Sequence, residues 1–383
     1  MKKRILFIIL MVAFIATALP FVAHAEGTES GKLVFAKVLT VDNREEYNEE
    51  AGKDLIIQTI KVEVYSNSPL KGRTYTLEHT TGSDYYKRDM TLKVGDKIKV
   101  ELYISEEGYL IQYNIFDIVR YPIVFWLIGL FMVMLIIVGR KQGLKTAISM
   151  IITISAIVFI LLPLLKSGWS PIPLTIGISA LITVATFLIT AGFSSKALSA
   201  ILGTCGGLIV AGLLSALVAH IAKMNGYSSE VVEFLIYNPQ GTIYNLRGLL
   251  LSGIIIGCLG AVMDVAMSIS SSIHEIKKAN QSLTRKELFK SGMRVGSDII
   301  GTMSNTLVLA YTGGSLGFIL GIMAFDIPML DVLNHDYIMA EVLRSIAGSI
   351  GIILTVPITA ILAATLYKGH TAPKEEDEAE VVE

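Results

Sequence analysis

From residue 32 to residue 116 apolar and polar residues alternate in short runs. Period-two alternation predicts half-buried strands, here over Lys32–Val41, Asp54–Tyr65, Arg73–His79, Lys97–Ile104 and Tyr109–Phe116. Turn-forming clusters separate them: Ser66-Asn67-Ser68-Pro69, Lys71-Gly72, Gly82-Ser83-Asp84, Val94-Gly95-Asp96 and Glu106-Glu107-Gly108. Five short strands without a helical period predict a small all-β barrel, OB- or SH3-like. Beyond residue 121 the alternation stops and continuous apolar stretches take over. They cover 122–138, 144–165, 172–191, 198–222, 248–269, 297–322 and 342–366. Each is near or above the ~20 residues a helix needs to cross ~30 Å of hydrocarbon. The predicted fold class is therefore an α-helical polytopic membrane bundle of about seven spans, joined to a small exported β domain.

The two ends differ from both patterns. Lys2, Lys3 and Arg4 precede an apolar run to about Leu19, and Ala23-His24-Ala25 offers small residues before a cut after Ala25. Residues 1–25 thus predict a signal peptide, with an uncleaved anchor helix as the alternative. Residues 26–118 form the exported domain and 119–370 the transmembrane domain. Residues 371–383 form an acidic tail, expected to be solvated and disordered.

Charge sets the orientation. Only 17% of the 383 residues are charged and 52% are hydrophobic, against ~25% charged in an average soluble domain. With the barrel outside, the inner loops and tail hold Arg140, Lys141, Lys145, Lys196, Lys277, Lys278, Arg285, Lys286, Lys290, Arg294, Lys368 and Lys374. The outer loops beyond the barrel hold only Lys166, Lys223 and Arg247. Basic residues gather on the cytoplasmic side of membrane proteins, so residues 26–118 are expected outside and the C-terminus inside. The net charge of -1 gives no reason to expect nucleic acid. Cys205 and Cys258 lie in apolar stretches and read as small buried hydrophobes. No disulfide framework, metal site, cofactor or catalytic group is read from the chain. The expected partners are the lipid bilayer and, for the exported domain, another protein. The barrel's tyrosines and basic residues also suit an oligosaccharide or oligonucleotide, although a packing or protein-contact module is the plainer expectation.

Polar residues inside the apolar stretches are the candidate chemistry. Asp264 lies within the fifth stretch, and Asp298 opens the sixth, with Asn305 about two turns further on. A carboxylate at such depth costs ~2.5–3.5 kcal/mol unless it meets water or a partner. Ser268 and Thr302, with Ser297, Ser304 and Thr306, add hydroxyls nearby. The group suits proton or cation handling. The plainer alternative is that each acid pairs with a base such as Arg294 or, for Asp298, caps a helix. Arg344 stands near the outer end of the seventh stretch, where it either reaches the interface or pairs with Glu341. His274 is expected to be solvated. Gly203/Gly207, Gly253/Gly257, Gly313/Gly317 and Gly317/Gly321 have the spacing of close helix packing, and Gly313-Gly314 is a candidate helix break. Thr284 with Glu287 predicts a helix start.

Three segments, Gly260–Ser268, Gly296–Tyr311 and Gly348–Ile358, resemble the YibE/F family of bacterial multi-pass membrane proteins. The likeness runs from about Ile118 to Tyr367. It implies a multi-pass protein of a bacterial plasma membrane and brings no established activity. Two functional readings remain: a proton- or cation-linked permease using Asp264, Asp298 and Asn305, or a non-catalytic scaffold whose barrel is the contact surface. A remote third is an intramembrane aspartyl protease, whose usual Gly-x-Gly-Asp is not matched by Val295-Gly296-Ser297-Asp298.

Overall fold

The computed structural model describes residues 31–48, 53–81, 90–105, 109–227, 232, 244–325 and 327–367. The expected signal peptide, the acidic tail and most of the Lys223–Arg247 loop lie outside the described residues. The chain divides into two compact units, residues 1–131 and 132–383.

The first unit contains β1 (Gly31–Asn48), β2 (Lys53–Val64), β3 (Thr74–Thr81), β4 (Lys97–Ile104) and β5 (Leu110–Ile118), all antiparallel to their neighbours in the order β3-β2-β1-β4-β5. The alternation is what buries one face: Val34, Ala36 and Val38 of β1 meet Ile60 and Val62 of β2 and Ile98, Val100 and Leu102 of β4 in one apolar core. Leu70 and Leu92 close it. Buried Gln58 holds the Leu92 segment in place. Its amide oxygen accepts from Leu92 N (2.7 Å), and its nitrogen donates to Leu92 O (3.0 Å) and to Asn43 (2.9 Å). The sheet curls into a partly open barrel. Its edge strands β3 and β5 are clasped by Tyr113, whose hydroxyl accepts from Glu78 N (2.8 Å) and donates to Glu78 O (3.1 Å). This is the partly open five-stranded arrangement of the OB type.

The helices follow: α1 (Tyr121–Ala156), a π-helical turn (Ile157–Leu161), α2 (Leu162–Lys166), α3 (Pro171–Ala191), α4 (Ser195–Ile221), α5 (Leu246–Ala279), α6 (Arg285–Gly314), α7 (Leu316–Ala324), α8 (Met329–Asn334) and α9 (Asp336–Leu366). Five helical segments are long and apolar enough to cross a membrane, or six when α6 and α7, bent by 55°, count as one span. The expected seven are thus not recovered as seven separate helices, because the first two stretches join in one segment. That segment has a corner at Arg140 (φ 49°, ψ -125°). A Cβ on Gly143 would stand 3.3 Å from Ile136 Cα and against the Leu135 carbonyl. Eight residues of straight helix would separate these positions by ~12 Å, so the chain doubles back there.

In the second unit α9 is the hub, packing on α4, α5 and α6. Backbones approach closely along α4. A Cβ on Gly207 would collide with Thr355 Oγ1 and lie 3.0 Å from Gly351 O, and Gly203 faces Thr359 in the same way. Small residues allow this approach where lipid supplies no hydrophobic drive between helices. The other glycine pairs behave differently. Gly253, Gly313, Gly317 and Gly321 have nothing within 4 Å of a built Cβ, so their spacing does not mark packing here. His274 also departs from expectation: it is half-buried with its ring edge-on to Tyr367, 5.1 Å between centroids.

Two outcomes are expected. Gly207→Ala should destabilise the helical unit by about 1–3 kcal/mol through overpacking. Thr355→Ala, by removing the colliding hydroxyl, should recover part of that loss, and thermal unfolding of both single variants and the double variant measures the coupling. At α6 the Thr284–Glu287 capping box is formed, with Thr284 N and Oγ1 each donating to Glu287 Oε2 at 2.8 Å. The backbone bond, then the hydroxyl, hold the Glu287 carboxyl below its ordinary 4.5. The cap's contribution is therefore complete above that ordinary value and is lost as pH falls through the lowered folded value. Hydrogen-exchange protection of the first turn of α6 should fall on acidification in the wild type. It should stay flat in Glu287→Gln, which keeps the bonds without the titration.

Candidate functional site

Asp264 sits on α5, the most enclosed of the helices. Leu250, Ile254, Ile255, Cys258, Leu259, Val262, Val265, Ala266 and Ile269 are all buried. One narrow stripe escapes burial: Gly253, Gly257, Gly260, Asp264 and Ser268. Their spacing of three and four residues places them on one line of the helix. A single carboxylate thus stands on a line of glycines and one serine.

On α6 the polar residues also share an exposed face. Arg294, Ser297, Asp298, Gly301, Thr302, Asn305 and Thr306 are exposed, whereas Gly292 and Gly296 turn inward against Ile273, Ala360 and Val356. Helix α6 is accordingly the least apolar of the long helices, and α6 and α7 qualify as a span only together.

Two contacts fix the register of this antiparallel pair. Gly292 faces Ile273 near one end, and Gly257 faces the Tyr311 hydroxyl near the other. Between these points Asp298 comes level with about Ser268, and Asp264 with about Thr302. The acids are then offset by roughly one turn, ~6 Å, along the axes. Gly260 and Gly301, in the same interval, face open space. Thr302 Oγ1 and Thr306 Oγ1 donate to carbonyls of their own helix. Among the described residues no hydrogen bond or ion pair engages the side chains of Asp264, Asp298, Asn305 or Ser268, and Asp298 does not pair with Arg294. Asp298 also lies more than three turns inside α6, so it caps nothing. The structure thus brings Asp264, Ser268, Asp298 and Thr302 to similar depth on adjacent helices, with Asn305 a turn beyond, and leaves the carboxylates unpaired.

Arg344 and Glu341 belong to a separate place. Arg344 Nη1 donates to Glu341 Oε1 at 2.6 Å, both side chains are largely buried, and the guanidinium lies 5.7 Å from the Tyr311 ring. Beside them α6, α7 and α9 line a half-open pocket of about 300 Å³, with Val308, Ile319, Ile338, Ile346, Tyr311, Ser315 and Glu341 in its walls. The bend at Ser315, directly after Gly313-Gly314, forms one wall. Sequence reasoning missed Tyr311 and this pocket. The glycine pair was the available signal for the bend, but nothing local shows which helices will close around it. A small serine cluster was missed as well: Ser199 and Ser270 share a 2.6 Å hydrogen bond, and Ser270 donates to Lys196 O. Among the described residues no group of three or more His, Cys, Asp or Glu is placed to hold a metal ion.

The model of the YibE/F-like protein family matches residues 127–369, which spans α1 to the end of α9 and includes every candidate residue above. No curated protein and no solved structure matches the chain. With well over half of its length in that match, the chain belongs to the YibE/F family.

Proposed function

We propose that this membrane protein is a proton- or cation-linked permease whose path runs along the polar faces of α5 and α6. The observation that carries the reading is the exposed polar stripe on each of these two helices. The helices touch at Gly292/Ile273 and Gly257/Tyr311, while Gly260 and Gly301 between them face open space beside the unpaired Asp264. A carboxylate left unpaired in hydrocarbon is costly, so water along that face is the inexpensive solution, and a wet carboxylate can bind and release a cation or proton. Asp298 extends the same face by about one turn, and Asn305 and Thr302 supply neutral oxygens. The acids share no hydrogen bond, which gives the aspartyl-protease reading no dyad to work with.

The second reading, a non-catalytic scaffold, draws on the same exposure: a partner subunit seated on α5 and α6 would cover the polar face. Ion flux separates the two. In proteoliposomes the wild type should dissipate an imposed proton, Na⁺ or K⁺ gradient faster than protein-free vesicles. Asp264→Asn should lower that rate about tenfold with the protein still inserted and folded. Wild-type vesicles as tight as empty ones to all three ions would leave the scaffold as the better account.

The topology proposed with this reading has seven spans, α1 counting as two because it doubles back at Arg140. It puts the barrel outside the plasma membrane, after a signal peptide, and the C-terminus inside, a placement that the asymmetry of basic residues supports. In a chain with Cys205 and Cys258 replaced, an impermeant thiol reagent on intact cells should label Val94→Cys in the barrel and spare Ser282→Cys in the loop before α6. The opposite pattern would invert the topology.

A further inference from the structure

Where the barrel passes into α1 it presents three lysines among aromatic rings. Only Val119 and Arg120 separate β5 from α1, and Val119 N donates to Lys97 O at 2.7 Å. The start of β4 therefore lies level with the point where the chain enters its first apolar helix. Lys37 and Lys97 stand directly opposite each other across β1 and β4, and Lys99 follows on the same face, opposite Phe35. Like charges in that position destabilise a sheet unless something neutralises them. Three acids share the neighbourhood, one of them Glu101, two residues beyond Lys99 on the same face of β4. Asp117, opposite Lys99 on β5, is held by Arg120 at 2.7 and 2.8 Å, and Glu63 stands opposite Lys37 on β2. Among the described residues no ion pair joins an acid to any of the three lysines.

The rings are placed with the charges. Lys97 Nζ lies 5.4 Å from the Tyr65 ring and Lys99 Nζ 5.6 Å from the Phe116 ring. Phe35 links Tyr65 to Tyr121, the first residue of α1, with 6.2 Å between successive ring centroids. Aromatic rings beside lysines at the end of an apolar helix are what the headgroup layer of a bilayer accommodates: an apolar body facing the chains and a cation facing phosphate.

We propose that this collar binds the phosphate headgroups of anionic lipids, with Lys37, Lys97 and Lys99 supplying the charge. Distance favours lipid over a soluble polyanion. The two-residue connection spans at most ~7 Å, within the ~8 Å Debye length at physiological salt. Lys97, bonded through its carbonyl to Val119, consequently lies near the headgroup plane with Lys37 and Lys99 beside it, and each should contribute about a fivefold preference at low salt.

The test uses the full-length chain with Trp169→Phe, which leaves Trp126, one turn inside α1, as the only tryptophan. The protein is placed in bilayers of phosphatidylcholine and phosphatidylglycerol in which one or the other lipid carries brominated acyl chains that quench indole fluorescence. Brominated phosphatidylglycerol should quench Trp126 at least about threefold more effectively than brominated phosphatidylcholine at low salt. The preference should vanish in Lys37→Gln/Lys97→Gln/Lys99→Gln, three changes at surface positions. Equal quenching by the two lipids in the wild type, or a preference that survives in the triple variant, would overturn the proposal. So would lysine-dependent binding of soluble polyphosphate by a protein that shows no lipid preference, since the collar would then serve a soluble polyanion.

Discussion

The close approach of α4 to α9 is the constraint on which the helical unit depends. In lipid two apolar helices gain little by hiding from a solvent as apolar as themselves, so contact must come from dispersion at short range. Gly203 and Gly207 on α4 and Gly351 on α9 permit it, with Thr355 and Thr359 filling the space left by the missing side chains. Once α9 is seated, its other sides receive α5 through Gly348 against Cys258 and α6 through Gly296 against Val356. The positions of Asp264 and Asp298 are thus consequences of glycines that lie on other helices or other faces.

Much of this could be read from the chain, and the reason differs by region. The barrel was legible because alternation is a direct record of which face is buried. Lys97–Ile104 is recovered with the same ends, and the largest difference is β1, which continues past Val41 to Asn48 as a ladder with β2. That extension is nearly all exposed, so burial left no mark on its sequence. The membrane stretches were legible from composition, yet composition is blind to corners. Arg140 turns the chain with a left-handed backbone that its identity does not announce, and the two stretches it joins become one segment.

The candidate site was legible as residues and illegible as geometry. Asp264 and Asp298 announce themselves by their cost in hydrocarbon. Their offset, the open space at Gly260 and Gly301, and the absence of a pairing base depend on the register that two contacts set between α5 and α6. Those contacts are made by Ile273 and Tyr311, which look like ordinary core residues in the sequence. For the same reason Gly253 and Gly207 carry identical packing signals but have opposite surroundings, one open and one crowded.

The clasp between Tyr113 and Glu78 bears on how the barrel can fail. A five-stranded sheet has two raw edges, each able to recruit a strand from another chain. Here the edges are turned toward each other, and two hydrogen bonds through one phenol join them where no strand ladder forms. The seam is the shortest route to opening the barrel, since parting it releases the Tyr113–Glu78 clasp and leaves four ladders intact. It also sets what an opened barrel would do. The freed β3 and β5 edges from two molecules could each complete the other, so one half-buried tyrosine, its ring packed against the core, guards the domain against strand exchange.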